Sequence, residues 1–218
     1  MLAGDFPGML LTINYKERDN MKLQEMEEQI KSDPRNAEYT ARGIPPIFQI
    51  NPEAEILIVG QAPGKKVEES GILFHDKSGE KLRDWMGIDG KLFYSKRIAI
   101  MPMDFYYPGK GKTGDLPPRR FIAEEYHPVI LEMMPEIRLT ILIGKYSIDY
   151  YLKKRAKRNL TETVRCYQEY LPEYFPIVHP SPLNFRWQAK NPWFESEVVP
   201  ELRKRVADIL ESIRNHRS

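Results

Sequence analysis

The sequence predicts an α/β protein, a three-layer α/β/α sandwich built on a four-stranded parallel sheet. Two observations predict this fold class. Short continuous apolar runs such as Ile56–Val59 and Leu139–Ile143 each end at a glycine, which is typical of strands buried on both faces. A loop and then a helical pattern follow each run, and this order repeats about four times. Such alternation favours parallel strands with helices on both faces of the sheet.

The first half of the chain contains two of the predicted strands. A helix is expected over 21–31, because Leu23, Met26 and Ile30 are spaced three and four residues apart. The segment 43–46 contains Gly and two Pro and is predicted to be an extended connector. After the strand at 56–59, Ser78 is predicted to cap a helix that ends at Gly87. The second strand is expected over 97–101.

The second half supplies the other two strands. Residues 119–134 are predicted to be helical, and the strand at 139–143 leads into a helix from Lys145 to about Lys157. A short fourth strand, 174–178, precedes His179. A last helix is expected from Asn191 to about Arg214, with Pro200 able to kink or split it.

Composition indicates one globular domain spanning 1–218. The protein is expected to be cytoplasmic, because no apolar run approaches the roughly 18 residues of a membrane helix and the first residues lack the pattern of a secretion signal. It is also expected to be a monomer. The net charge of +2 does not by itself indicate nucleic acid. Cys166 is the only cysteine, which excludes an intramolecular disulfide, a Cys-rich zinc site and a four-cysteine cluster.

The long loop 102–118, with three glycines and four prolines, is too long for a passive connector. It contains Gly111-Lys112-Thr113, but the glycine that a phosphate-binding loop needs five positions earlier is Tyr106. The sequence therefore argues against a nucleoside triphosphate site. Lys110 and Lys112 beside two tyrosines fit a surface that follows a nucleic-acid backbone, and a mobile lid without a ligand is the alternative.

The loop after the first strand, Gly60-Gln61-Ala62-Pro63-Gly64, is a candidate site. Its glycines allow a ligand close to the main chain, and the Gln61 amide has the donors and acceptor needed to orient a water molecule. Further along, Phe74 offers a ring that can stack on a planar ligand. A structural turn and a core aromatic are the alternatives.

A second candidate loop, His179-Pro180-Ser181-Pro182-Leu183-Asn184, follows the last strand. Its prolines stiffen the loop, and Ser181 can contact a phosphate. Leu183 is predicted to be an exposed apolar tip that can wedge into a base stack. His179 can donate a hydrogen bond to an oxygen that gains negative charge, although a structural histidine is the alternative.

Together these two loops and Phe74 resemble the uracil-DNA glycosylase superfamily over the region 56–184. The resemblance implies an α/β/α sandwich with a four-stranded parallel sheet and hydrolysis of an N-glycosidic bond in DNA, with no metal or other cofactor. It implies that the 60–64 loop holds the hydrolytic water, with Gln61 at the water-activating position. Phe74 would stack on the extruded base, and His179 would stabilise the departing base.

The resemblance also implies a DNA-binding role for the second loop. Ser181, with Pro182, would hold a phosphate, and Leu183 with Asn184 would fill the gap left in the duplex. At the position after the second strand, Asp104 is the only polar candidate for base recognition. With one cysteine, the chain resembles a branch without an iron–sulfur cluster.

Three functional hypotheses stay open on the sequence. The first is a glycosylase acting on uracil or another deaminated base in DNA. The second is a superfamily member that binds DNA or a nucleotide without efficient catalysis, because Gln61 cannot act as a carboxylate base. The third is an unrelated α/β enzyme that matches the motifs by chance.

Overall fold

A computed structural model describes residues 15–211, with side chains described from Lys22 onward. The chain divides into two compact units at Gly43 and Ile44. The first contains α1 (Tyr15–Ser32), a 3-10 turn (Pro34–Asn36) and α2 (Ala37–Ala41). The second contains the sheet and the candidate site. The prediction of one domain spanning 1–218 stays a prediction.

The second unit is built on a four-stranded parallel sheet. The described strands of the second unit are β1 (Ile56–Val59), β2 (Ile98–Ile100), β3 (Lys110–Gly111), β4 (Gly114–Asp115), β5 (Leu139–Ile143) and β6 (Tyr174–Ile177). The order in the sheet is β2-β1-β5-β6, and every neighbouring pair is parallel. Strands β3 and β4 form a separate antiparallel hairpin. The predicted fold class is therefore confirmed.

Helices follow the strands on both sides of the sheet. They are α3 (Lys65–Ser70), α4 (Lys77–Met86), α5 (Gly90–Phe93), α6 (His127–Glu132), α7 (Gly144–Leu152), α8 (Leu160–Arg165), α9 (Phe185–Lys190) and α10 (Val199–Glu211). Short 3-10 segments lie at Lys153–Arg155, Tyr167–Tyr170 and Pro182–Asn184, and π-helical segments precede α6 (Ile122–Tyr126) and α10 (Phe194–Val198).

Both faces of the sheet are buried. Alternate strand residues, including Ile56, Ile58 and Ile141, join side chains of α4 and α10 in one apolar cluster. Leu57 and Leu142 point to the opposite face and are fully buried as well. This burial on two faces explains why the strands have continuous apolar sequences.

The helix boundaries differ from the predictions where local chemistry decides them. Helix α4 is capped by Asp76 and not by Ser78, because the Asp76 carboxylate accepts the Gly79 N–H at 2.9 Å. The helix expected over 145–157 ends at Leu152, since Lys153 has a positive φ of 49°. Pro200 lies in the first turn of α10, directly after the π-helical segment Phe194–Val198, so the predicted helix changes from π to α next to this proline. The end of the predicted last helix lies outside the described residues.

His127, the first residue of α6, is a buried polar residue that contacts the segment directly after β2. Its Nε2 lies 3.0 Å from the carbonyl oxygen of Pro102, and its Nδ1 lies 2.9 Å from the Tyr151 hydroxyl. These distances assign the ring as neutral, with Nε2–H donating to Pro102 and Tyr151 donating to Nδ1. Burial lowers the pKa of His127 from 6.5 to about 4, against the opposing effect of the bond to Pro102. Among the described helices, none is long and apolar enough to cross a membrane.

The His127 pKa predicts a pH-dependent stability. The unfolded chain takes up this proton near pH 6.5, whereas the folded chain resists it down to about pH 4. Stability from this group is therefore fully present above pH 6.5 and is lost as the pH falls, by roughly 3 kcal/mol in total. Urea unfolding of the protein and of His127→Gln between pH 7.5 and 4 should show the advantage of His127 shrinking. Exposed His75→Gln is the control, and parallel curves for the protein and His127→Gln would contradict the assignment.

Candidate active site

The two candidate loops lie at the same edge of the sheet. Because all four strands are parallel, the 60–64 loop after β1 and the 179–184 loop after β6 both begin at the carboxyl edge. Only β5 separates the two strands, so at about 4.8 Å per strand the loops begin about 10 Å apart. Ligands of open α/β sheets bind at this edge.

Phe74 lies against Gly60. A Cβ at Gly60 would stand 3.5 Å from the Cζ atom of Phe74, an ordinary van der Waals contact, so the ring lies directly against this turn of the main chain. Phe93 supports the ring edge-on, with centroids 6.1 Å apart. Phe74 has a φ of 54°, in the left-handed region that a non-glycine residue adopts at a cost. The half-buried ring is therefore held in place by its surroundings.

Gln61 contacts two neighbouring segments. Its carbonyl oxygen accepts the Asp104 N–H at 3.1 Å, next to a bond from the Met103 N–H to the Gly60 oxygen at 2.9 Å. Its side-chain Nε2 donates to the carbonyl oxygen of Leu116 at 3.2 Å. No other residue of the described chain bonds the Gln61 side chain. Its Oε1 is therefore available to accept a hydrogen bond.

The rest of the first loop connects β1 to α3. Pro63 is buried, whereas Ala62 and Gly64 are half-buried. Gly64 precedes α3 with an extended backbone. The base-binding roles predicted for Gly60, Ala62, Pro63 and Gly64 stay predictions.

The Asp104 carboxylate is fully buried and fully bonded. It accepts the N–H groups of Tyr106 at 3.1 Å and Arg119 at 3.0 Å, and it forms a bidentate pair with the Arg119 guanidinium at 2.8 Å on each oxygen. These four bonds fill the acceptor sites of a carboxylate. A base contact through Asp104 would have to displace one of them, and the predicted role stays a prediction.

His179 is held by its own loop. The Ser181 N–H donates to its Nδ1 at 3.1 Å, which assigns the proton of a neutral ring to Nε2. No other described residue bonds the His179 ring, so its Nε2–H is available as a donor. Burial lowers the pKa of His179, and the Asp76 carboxylate opposes this effect. The imidazole is therefore neutral at pH 7 and can donate from Nε2.

The tip of the second loop is braced and exposed. Asn184 donates from Nδ2 to the His179 carbonyl oxygen at 2.7 Å, and Ser181 Oγ accepts the Leu183 N–H at 3.2 Å. Leu183 is 85% exposed at the tip, as predicted from the sequence. Phe185, the first residue of α9, is 61% exposed beside it. The DNA-binding roles of Ser181, Pro182, Leu183 and Asn184 stay predictions.

A groove of about 540 Å³ adjoins this loop. It lies between α4 and α9. The lining residues are Lys77, Glu80, Lys81, Asp84, Pro180, Ser181, Pro182, Phe185 and Gln188. Lys81 is paired with Glu195 at 2.9 Å, and Asp84 is paired with Arg203 at 3.0 Å. Lys77 is exposed, and no described acidic group lies within ion-pair distance of it.

Lys110 and Lys112 lie on the β3–β4 hairpin. Lys112 is exposed, and Lys110 lies 3.4 Å from the Asp115 carboxylate across the hairpin. The long loop is therefore partly ordered by strand pairing, which the sequence analysis did not predict. The Gln61–Leu116 bond connects this hairpin to the first candidate loop.

Two residues at this edge were missed from the sequence. Asp76 follows Phe74 by two positions and affects the pKa of His179, so it links the two loops electrostatically. Asp is a preferred N-cap residue, and its place before the predicted helix could have pointed to Asp76. Phe185 follows Asn184 directly but lies outside the proline-stiffened motif, so nothing in the sequence indicated an exposed ring there.

Gly79 controls the position of Phe74 and provides a test of this packing. A Cβ at Gly79 would stand 1.6 Å from the carbonyl oxygen of Phe74, so Gly79→Ala must push the two segments apart. We expect the free energy of unfolding to fall by about 1–3 kcal/mol, as for other overpacked sites. Gly90→Ala is the matched control, since nothing lies within 4 Å of its Cβ position. Equal denaturation midpoints for the two variants would contradict this packing.

Among residues 22–211, no three His, Cys, Asp or Glu side chains are grouped to hold a metal ion.

A family model described as the uracil DNA glycosylase superfamily matches residues 47–203. A similar solved structure is the solution NMR structure of a "putative Uracil DNA glycosylase" from Methanosarcina acetivorans. It is 17% identical with a TM-score of 0.45, and the match covers 73% of this chain and 98% of that chain. Because the family model spans most of the chain, including both candidate loops, this protein belongs to the uracil DNA glycosylase superfamily.

Proposed function

We propose that this protein is a DNA glycosylase that hydrolyses the N-glycosidic bond of uracil or another deaminated base. The observation that carries the proposal is the His179 imidazole, kept neutral by burial and assigned to the Nε2–H form by the Ser181 N–H. It lies at the same sheet edge as Phe74 and Gln61, and the superfamily match covers all three residues.

The proposed reaction follows from the charges that develop. As the glycosidic bond breaks, its electron pair stays on the base, which becomes an anion, and the sugar becomes cation-like. His179 Nε2–H donates a hydrogen bond to the base oxygen that gains negative charge, which is a large lever on the rate. A water molecule oriented by Gln61 Oε1 adds to the sugar carbon and loses a proton to solvent. The base anion takes up a proton from solvent, and the products are the free base and an abasic sugar.

Base recognition is proposed to use stacking and the main chain. Phe74, supported by Phe93 and pressed against Gly60, offers a rigid face for the extruded base. A stacked base is worth about 1–3 kcal/mol. With the Asp104 carboxylate occupied by Arg119, and the Met103 and Asp104 N–H groups donating to Gly60 and Gln61, hydrogen bonds that select the base would come from the remaining backbone groups of residues 60–64.

DNA is the proposed partner. A base inside a duplex must be extruded before its sugar can be attacked, and exposed Leu183 can enter the space that it leaves. Phe185 beside it can stack on a neighbouring base. The groove that adjoins Ser181, with Lys77 on its wall, is suited to the sugar–phosphate strand on that side. A monomer acting in the cytoplasm stays an expectation.

A second candidate function is DNA binding without efficient catalysis. The observation that favours it is Gln61, because an amide cannot take a proton from water as a carboxylate does. The two functions share the same interface and differ only in base release. Incubation with oligonucleotides carrying uracil, hypoxanthine, xanthine or a thymine mismatch, followed by alkali, separates them. Strand cleavage identifies the glycosylase and its base, whereas retarded migration without cleavage identifies the binding protein.

His179→Ala tests the proposed chemistry. Loss of one such donor costs about 2.7–4 kcal/mol of transition-state stabilisation, so the single-turnover rate should fall roughly 100-fold or more. DNA affinity should change little, because the bond strengthens only as the base leaves. Exposed His75, on the loop that carries Phe74, supplies the control variant His75→Ala. An unchanged rate in His179→Ala would remove this residue from the mechanism.

A further inference from the structure

The β3–β4 hairpin is attached to the first candidate loop by one side chain. Across its base, the Leu116 N–H donates to the Gly109 carbonyl oxygen at 2.9 Å. The Leu116 carbonyl oxygen then accepts the Gln61 Nε2–H at 3.2 Å. Pro108, Pro117 and Pro118 flank the hairpin and lack donors of their own. The described hydrogen bonds thus leave Gln61 as the tie between the hairpin 109–116 and residues 60–64.

This bond fixes the orientation of the Gln61 amide. An amide has a donor end and an acceptor end, and the two look nearly alike in size. With one Nε2–H committed to Leu116, Oε1 remains to accept, and the second Nε2–H is the only donor left on the side chain. A carboxylate at position 61 could not make this arrangement, because it has no hydrogen to donate and would place negative charge against the Leu116 carbonyl oxygen.

We propose that the hairpin 109–116 is a positioning element for the hydrolytic water, and that it acts through the bond from Gln61 to Leu116. Glutamine is suited to position 61 because one end of its amide holds the hairpin while the other accepts from the water. This inference rests on the proposed glycosylase function.

The lysines of the hairpin are the groups through which bound DNA can affect the Gln61–Leu116 bond. Lys112 is exposed at the turn, and Lys110 lies on β3 with its ammonium 3.4 Å from Asp115. A phosphate backbone that contacts these lysines presses the hairpin towards the Gln61 loop, and the orientation of the amide then depends on bound DNA. The position of the water is thereby coupled to engagement of the strand.

Limited proteolysis tests the tie without reference to activity. Trypsin cleaves after Lys110 and Lys112, and we expect detachment of the hairpin from residues 60–64 to make both sites easier to cleave. In Gln61→Glu the bond is lost, and cleavage at these two sites should accelerate about fivefold, the change expected for one ordinary hydrogen bond. Gln168→Glu adds the same charge at an exposed position and should leave the cleavage rate unchanged.

Single-turnover kinetics on saturating oligonucleotide test the positioning role. We expect Gln61→Glu to lower the rate at least fivefold in the full chain, although it introduces a potential base. In a variant with residues 109–116 replaced by two glycines, the same substitution should have little further effect, because the hairpin and Leu116 are already absent. Lys112→Gln should weaken DNA affinity and also lower the saturated rate, because the strand then presses the hairpin less firmly towards the Gln61 loop.

The outcomes separate this inference from the proposed function. The positioning role would be overturned if Gln61→Glu reacted faster, or if it lost the same fraction of its single-turnover rate with and without the hairpin. Either result would leave the proposed glycosylase function intact. If the unmodified protein releases no base from any oligonucleotide, the glycosylase proposal fails and the positioning of a water fails with it. Proteolysis then tests by itself whether the Gln61–Leu116 bond holds the hairpin. Unchanged cleavage in Gln61→Glu would contradict that part of the inference as well.

Discussion

Strand pairing ends at the carboxyl edge of the sheet, and two backbone hydrogen bonds carry it further. The Met103 N–H donates to the Gly60 oxygen, and the Asp104 N–H donates to the Gln61 oxygen, in line with the bond from Met101 to Ile58 inside the sheet. The two loops after β1 and β2 therefore leave the sheet as one surface. The place of Gln61, the wall formed by Gly60 and Phe74, and the hairpin beyond Asp104 all depend on these bonds.

The same surface is supported from behind by polar groups that do not face a ligand. The Arg119 guanidinium holds the Asp104 carboxylate in a bidentate pair, and His127 holds the Pro102 carbonyl oxygen. Each uses a directional bond to fix one backbone segment, which a purely apolar contact cannot do. Such support is what a site needs if its reacting groups are to stay within a fraction of an ångström.

Much of the fold followed from the sequence, because burial on two faces leaves a strong apolar signal. The core of each predicted sheet strand was right, and the ends differed from the predictions by at most one residue. Short helices such as α8 and α9, of six residues each, were missed, since one and a half turns show little periodicity. The Ser78 cap was wrong because two polar residues compete at that turn, and only the backbone shows that Asp76 accepts the Gly79 N–H.

The candidate site was predictable where residue type fixes chemistry, and unpredictable where a long-range partner does. The shared edge of the two loops follows from parallel strands alone. By contrast, Asp104 and Arg119 are fifteen positions apart, and Gln61 and Leu116 are fifty-five apart, so no local pattern joins them. Sequence reasoning therefore assigned Asp104 to a ligand, although its acceptor sites are filled by the chain itself.

The electrostatics of His179 explain how a neutral group can serve this chemistry. Burial lowers its pKa and the Asp76 carboxylate raises it, and burial is the larger effect. An imidazolium would attract the base anion more strongly, but removing its charge from water would cost stability before any substrate arrived. A neutral ring fixed by the Ser181 N–H keeps its donor in place at no such cost. Its hydrogen bond then strengthens as the base acquires charge, so the stabilisation falls on the transition state and not on the bound substrate.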